Sequence, residues 1–250
     1  MAGPAVASLD AVEVVYPSRG RVLGPVDFAL QPGEIVALVG PSGCGKSTAL
    51  RLLAGLEPPT RGVVRRAAGR GETSVVFQAP TLAPWMSAAA NVALPLELAG
   101  ASRSSARSLA AEALRSVGLG DAIAARPAQL SGGMAMRASL ARALVTKPKV
   151  LLLDEPFAAL DEITRRALGE DVHHLWAASR AAIVFVTHNV EEAVYMASRV
   201  VVMTSGPGRV GGGALIDAPL PRPPGFRTTA QFREAAEKVS ADLASAMEPA

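Results

Sequence analysis

The chain has 250 residues and a mass of 25.6 kDa, enough to bury a large core in one domain or two small ones and far too long for a disulfide-stapled scaffold. Half of it is hydrophobic and only 4% aromatic, giving a mean hydropathy of +0.28, yet a charge, Gly or Pro cuts every apolar run well before the roughly 18 residues a membrane-spanning helix needs. Twenty-five Lys and Arg against 22 Asp and Glu leave a net charge of +3, and the pattern lacks the long basic stripe with interleaved aromatics of a nucleic-acid reader.

Met1–Leu9 has no basic segment ahead of a hydrophobic stretch, so no signal peptide is predicted and the chain is expected to stay in the cytoplasm. The single cysteine, Cys44, has no internal disulfide partner, which agrees with a reducing compartment. Val12–Tyr16 and Val26–Leu30 alternate like half-buried strands, and Ile35–Val39 is a continuous apolar run of the kind found inside a sheet. Ser47–Gly55 reads as a helix ended by glycine. Arg61, Arg65, Arg66 and Arg70 form one basic cluster that suits a solvated loop and strand edge better than a phosphate site.

Ser74–Gln78 reads as a further strand, closed by Gln78. From there to about residue 148, Ala88–Leu98, Ser102–Val117 and Gly132–Val145 carry Ala, Leu and charges at helical spacing, with Pro84, Pro95 and Pro127 at or near their ends. Strands return at Val150–Leu153, Ala182–Val186 and Val200–Thr204, alternating with helices at Glu162–Ala178 and Val190–Ala197. Such alternation predicts parallel strands joined by right-handed crossovers. The expected fold is α/β with a helical subdomain, about residues 85–147, inserted in its core. Gly206–Gly208 and Gly211–Gly213 mark a turn-rich stretch. The run PLPRPPGF and a short amphipathic helix from about Thr229 to Met247 read as a proline-rich linker and docking tail, residues 221–250, after one domain spanning 1–220.

Gly40-Pro41-Ser42-Gly43-Cys44-Gly45-Lys46-Ser47 satisfies G-x-x-x-x-G-K-[ST] at every fixed position and lies between a predicted strand and helix. Glycines let successive backbone N–H groups converge on phosphate oxygens, and the helix N-terminus adds partial positive charge. Lys46 is expected to reach the β- and γ-phosphates and Ser47 to ligate Mg²⁺, with Thr48 beside them; Cys44 contributes only its backbone. Val150–Leu153 then runs into Asp154-Glu155. At the carboxyl end of a central strand Asp154 can hold Mg²⁺ through water, and Glu155 can polarise the attacking water. His173 and His174 lie on a predicted helix without partner ligands one turn away and are given no metal.

Leu130-Ser131-Gly132-Gly133-Met134, whose Ser131 lies 23 residues before Asp154, resembles the signature of the ATP-binding subunits of ABC transporters. The resemblance covers about residues 8–215 and implies a P-loop NTPase (RecA-like) core: a mostly parallel central sheet, an N-terminal antiparallel β part and an inserted helical subdomain. It implies ATP and Mg²⁺ as cofactors and two copies, expected as a homodimer, facing head to tail, so that Ser131, Gly132 and Gly133 serve the partner's nucleotide. Tyr16 matches the residue that stacks on adenine, Gln78 the one that contacts Mg²⁺ and water, Ala159-Leu160-Asp161 the loop across the dimer interface, and His188 the histidine at the γ-phosphate. Ala135, Met136 and Asn189 depart from the common pattern, leaving Lys46, Asp154, Glu155 and His188 intact.

Ala79–Met86 places apolar groups where a permease is expected to dock, although Trp85 suits core packing equally well. The Leu-Ala-Pro-Trp stretch, the run from Glu155 to Arg165 and Ser205–Arg209 resemble the importer subgroup for nitrate, sulfonates or taurine. That subgroup implies permease subunits, a secreted or periplasmic solute-binding protein, no nucleic acid, and a peripheral place at the cytoplasmic face of the membrane. An exporter ATPase, a soluble ABC ATPase and a non-hydrolysing module are the alternatives.

Overall fold

Ile35–Val39 is buried at all five positions, and its pleat explains why: Ile35, Ala37 and Val39 point into one core while Val36 and Leu38 point into another. The computed structural model describes residues 4–69, 71–158 and 160–247. Arg70 and Ala159 lie outside them. In chain order the first half forms β1 (Ala7–Tyr16), β2 (Gly20–Leu30), β3 (Ile35–Val39), α1 (Lys46–Ala54), β4 (Arg61–Arg66), β5 (Thr73–Val76), α2 (Ala88–Leu98) and α3 (Arg103–Ser116). The second half forms α4 (Gly132–Leu144), β6 (Val150–Asp154), α5 (Glu162–Ser179), β7 (Ala182–Val186), α6 (Val190–Met196), β8 (Arg199–Met203), β9 (Val210–Leu215) and α7 (Ala230–Met247).

A six-stranded sheet of order β5-β6-β7-β3-β8-β9 is parallel throughout except for the last strand. A separate antiparallel sheet of order β2-β1-β4 lies at the N-terminal side. Between the two, β1 and β2 residues such as Leu9 and Leu30 pack with α1 and the inward positions of β3, β6 and β7. The opposite face of the main sheet is covered by α4, α5, α6 and α7. The helical insert has its own core, in which Val92, Ala110, Leu114 and Ala138 are fully buried. The alanine-rich helices suit this place, since small side chains let α2, α3 and α4 approach closely.

β9 escapes sequence patterning, whereas β4 is the strand edge expected of the basic residues. Arg61, Arg65 and Arg66 of the basic cluster lie in β4, an exposed edge strand on which Arg65 pairs with Asp10 at 2.7 Å and Arg66 donates to the carbonyls of Leu52 and Leu53 at the end of α1. Gly211–Gly213, which reads as a turn, lies within β9, where a Cβ on Gly212 would meet the Asp242 carboxylate at 2.7 Å. Asp242 accepts from Gly213 N at 2.9 Å and binds α7 to the sheet edge. Glycine here makes room for the helix rather than for a bend.

The proline-rich run is packed. Arg222 is buried and donates to the carbonyls of Tyr195, Val194 and Ala218, which closes the end of α6. Burial pushes its guanidinium pKa down to about 10. Phe226, Phe232 and Val239 are buried in the same core as the central sheet.

Candidate active site

The parallel strands β3 and β6 flank β7 and end on the same side of the sheet, so the loops that follow them meet at its carboxyl edge, where α/β folds place ligands. After β3 the chain turns through Gly43 (φ 78°) and Gly45 (φ 96°), left-handed conformations that glycine adopts without strain, and enters α1 directly at Lys46. No side chain caps that helix. A Cβ on Gly43 would meet nothing within 4 Å, so the loop presents open backbone to a cleft of about 840 Å³ lined by Tyr16, Ser42, Gly45, Lys46, Ser47 and Glu155, among others. Uncapped first-turn N–H groups facing such a cleft fit a polyphosphate.

Lys46 is 6% exposed, and its ammonium donates to the carbonyls of Gly40 and Pro41, both at 2.8 Å. Cys44 is buried behind it with Sγ 3.8 Å from Lys46 Nζ, and burial pushes its thiol pKa up. Ser47 Oγ donates to Asp154 Oδ1 at 2.9 Å. Hydroxyl plus carboxylate is an oxygen donor set suited to a hard divalent cation. Tyr16, at the end of β1, lines the outer part of the cleft beside Glu57 and Thr48. Burial, and then the neighbouring Glu57 carboxylate, raise the phenol pKa.

Glu155 follows β6 in a left-handed conformation, φ 47°, with its N–H donating to Val186 O at 3.1 Å. A non-glycine residue there costs about 1–2 kcal/mol. The bond to β7 over-determines the turn and swings the side chain out to the cleft, where Oε2 lies 3.8 Å from His188 Nδ1. His188 is the first residue beyond Thr187, whose hydroxyl bonds the buried Glu192 carboxyl and accepts from Asn189 N at 3.1 Å. Burial raises the Glu192 pKa.

Lys46, Ser47, Asp154, Glu155, His188 and Tyr16 are thus brought together. Gln78 lies two residues past the end of β5, exposed to solvent. Ser131, Gly132 and Gly133 are elsewhere: Ser131 caps α4 by accepting from Met134 N at 3.3 Å, and a Cβ on Gly133 would stand 2.6 Å from Thr164 Cγ2 at the start of α5. Asp161 caps α5 through Thr164 N at 3.0 Å and Thr164 Oγ1 at 2.7 Å, which holds its carboxyl pKa low. The signature and Asp161 therefore share one surface, and among the described residues none of the four lines the cleft at Lys46. His173 is buried, bonded to Met196 O at 3.0 Å and stacked on Tyr195, as a packed core histidine rather than a ligand.

Two supporting residues escape sequence reading. Asn91, fully buried on α2, accepts from Ala83 N and donates to the carbonyls of Ala83, Met86 and Ser87. Arg142 on α4 donates to the carbonyls of Pro80 and Thr81. Together they brace the loop that follows Gln78. A lone polar residue on the apolar face of a predicted helix, as Asn91 is, was the available signal.

The model of the ABC transporter family matches residues 23–158. The taurine import ATP-binding protein TauB of Chromobacterium violaceum is 44% identical over 212 residues, which are 82% of this chain and 81% of that protein. The bicarbonate transport ATP-binding protein CmpC of a Synechocystis species is 42% identical over 205 residues, 79% of this chain and 31% of that longer protein. Among solved structures, the dimeric post-hydrolysis state of the ATP-binding cassette MJ0796 bound to ADP and Pi superposes with a TM-score of 0.73 at 29% identity, covering 84% of this chain and 98% of that one. With the phosphate loop, the acidic end of β6 and the inserted helical unit all in place, the chain belongs to the ABC transporter family as an ATP-binding, ATP-hydrolysing cassette.

Proposed function

We propose that this cassette energises import of a small solute of the taurine, sulfonate, nitrate or bicarbonate kind, through a permease docked on its helical insert. The observation that carries the catalytic part is the convergence of Lys46, the Ser47–Asp154 bond and Glu155 on one cleft. Mg²⁺, when bound, would supply charge neutralisation to the phosphates; Ser47 and Asp154 are the residues that would hold it, with Gln78 as a further ligand from the loop after β5. The loop N–H groups bind the phosphates, and Lys46 also stabilises the charge that develops on them in the transition state. Glu155 orients a water in line and accepts its proton. His188, with Nδ1 3.8 Å from Glu155 Oε2, faces Glu155 and is placed to contact the terminal phosphate. Tyr16 stacks on the base.

Because Ser131, Gly132, Gly133 and Asp161 sit away from their own cleft, a second copy is the natural recipient of their hydrogen bonds, and we read the working unit as a head-to-tail homodimer. The dimeric cassette MJ0796 supports that reading. Residues 1–220 form the cassette, with the insert at about 85–147, and residues 221–250 its tail. Among the described residues no helix is long and apolar enough to cross a membrane; in this reading the cassette attaches peripherally, through the permease, with a solute-binding protein on the far side.

The cargo class rests on the names of TauB and CmpC. It is tested by reconstituting the cassette with the permease and solute-binding protein of a taurine, a nitrate and a bicarbonate importer in turn and measuring ATPase stimulation by each candidate anion. Stimulation by taurine, a sulfonate, nitrate or bicarbonate is expected. Stimulation by a lipid or drug without any binding protein would instead make this an exporter.

A further inference from the structure

Ser205-Gly206-Pro207-Gly208-Arg209 joins β8 to β9 and touches none of the catalytic groups named above, yet its backbone is pressed against the phosphate loop. Gly208 N donates to Val22 O at 3.0 Å, and Gly208 O accepts from Gly24 N at 2.8 Å. A Cβ on Gly208 would overlap the carbonyl oxygen of Cys44. Backbone meets backbone there, and no other residue leaves room. The start of the loop is met in the same way: a Cβ on Gly40 would lie 2.7 Å from Met203 O. The end of β8 and the turn after it therefore close on the loop at two points.

The peptide unit is planar and trans, so its C=O and N–H point in opposite directions. Whatever fixes the Cys44 carbonyl fixes the direction of the Gly45 N–H, and Gly45 lines the cleft. The turn is itself held from outside. Thr204 N donates to Arg209 O at 2.9 Å, and Ser205 N donates to Ala246 O at 3.0 Å in the last turn of α7, a helix seated in the core through Phe232, Val239 and Ala246.

We infer that the Ser205–Arg209 turn is a positioning element of the nucleotide site: Gly208 aims the Cys44–Gly45 peptide at the phosphates, and the C-terminal helix holds the turn in place. This rests on the phosphate-loop reading. Gly208 is a positioning residue, not a catalytic one, so its loss should weaken nucleotide binding more than turnover.

The test uses the full chain and measures KM for ATP and kcat in steady state, together with binding of a fluorescent ATP analogue. Gly208→Ala is expected to raise KM and the analogue's Kd about tenfold while kcat at saturating ATP stays within about twofold, because one misdirected donor costs about 1.4 kcal/mol of ground-state and transition-state binding alike. Ser205→Pro, an exposed change that removes the bond to Ala246 and stiffens the turn at Thr204–Ser205, is expected to raise KM about threefold. A folded Gly208→Ala protein with parental KM and Kd overturns the inference. If Gly208→Ala does not fold, Ser205→Pro decides: a raised KM upholds the inference, and a parental KM overturns it. Failure of the parent to bind the analogue would sink the phosphate-loop reading itself, which separates the two outcomes.

Discussion

Ser47 Oγ donates to Asp154 Oδ1 at 2.9 Å across 107 residues of chain, tying the first turn of α1 to the end of β6. Neither residue can shift without its sheet or helix, so the distance between phosphate cradle and acidic end is fixed by the fold itself. Asp154→Asn keeps the hydrogen bond but loses the negative charge. The Mg²⁺ concentration for half-maximal ATPase activity is expected to rise about 10–100-fold, the usual effect of losing an outer-shell partner. Magnesium titrations at fixed ATP check this, and an unchanged midpoint would remove Asp154 from the cation site.

Glu155→Gln preserves shape and the left-handed turn while abolishing a proton acceptor. Phosphate release should fall by about 10²–10⁴-fold. ATP binding survives, so size-exclusion chromatography with ATP should show an accumulated dimer, and parental hydrolysis by this variant would exclude the role given to Glu155.

Trp85 is 74% exposed on the loop braced by Asn91 and Arg142, which settles its position in this chain as surface rather than core. In Trp176→Phe protein, with Trp85 the sole remaining tryptophan, emission should shift to the blue when the permease is added. Trp85→Ala should leave the stability of the isolated subunit within about 0.5 kcal/mol but weaken co-purification with the permease. A Trp85 spectrum that ignores the permease would place the docking surface elsewhere.

Burial lowers the pKa of His173 below its usual 6.5. Between the lowered folded value and 6.5 the unfolded chain binds the extra proton, so the contribution of His173 to stability is complete above pH 6.5 and is lost as pH falls through that window. His173→Gln, whose amide can still bond Met196 O, should flatten the decline in urea midpoint between pH 7 and pH 5. An equal slope in both proteins would assign the decline to other groups.

The elements whose pattern is local were legible from sequence. Ile35–Val39, Ala88–Leu98 and Ala182–Val186 have the same bounds in both readings, because a strand buried on both faces and a capped alanine-rich helix announce themselves residue by residue. The phosphate loop and the carboxylates after β6 were legible for the same reason. β9 was not, and β4 only as a strand edge: Val210–Leu215 is glycine-rich and Arg61–Arg66 polar, and they become strands because β8 and β1 offer an edge. Asn91, Arg142 and the Ser205–Arg209 turn also stayed hidden, since each acts through a carbonyl that spacing in the sequence does not reveal.

The backbone of Glu155 sits at φ 47°, a conformation that asparagine and glycine tolerate better than glutamate. Optimising this protein for heat resistance alone would therefore favour Asn or Gly at that position, and a library sorted by melting temperature should be enriched in such variants. Their higher melting temperatures would come with negligible phosphate release. At this turn the most stable sequence and the working one are different molecules.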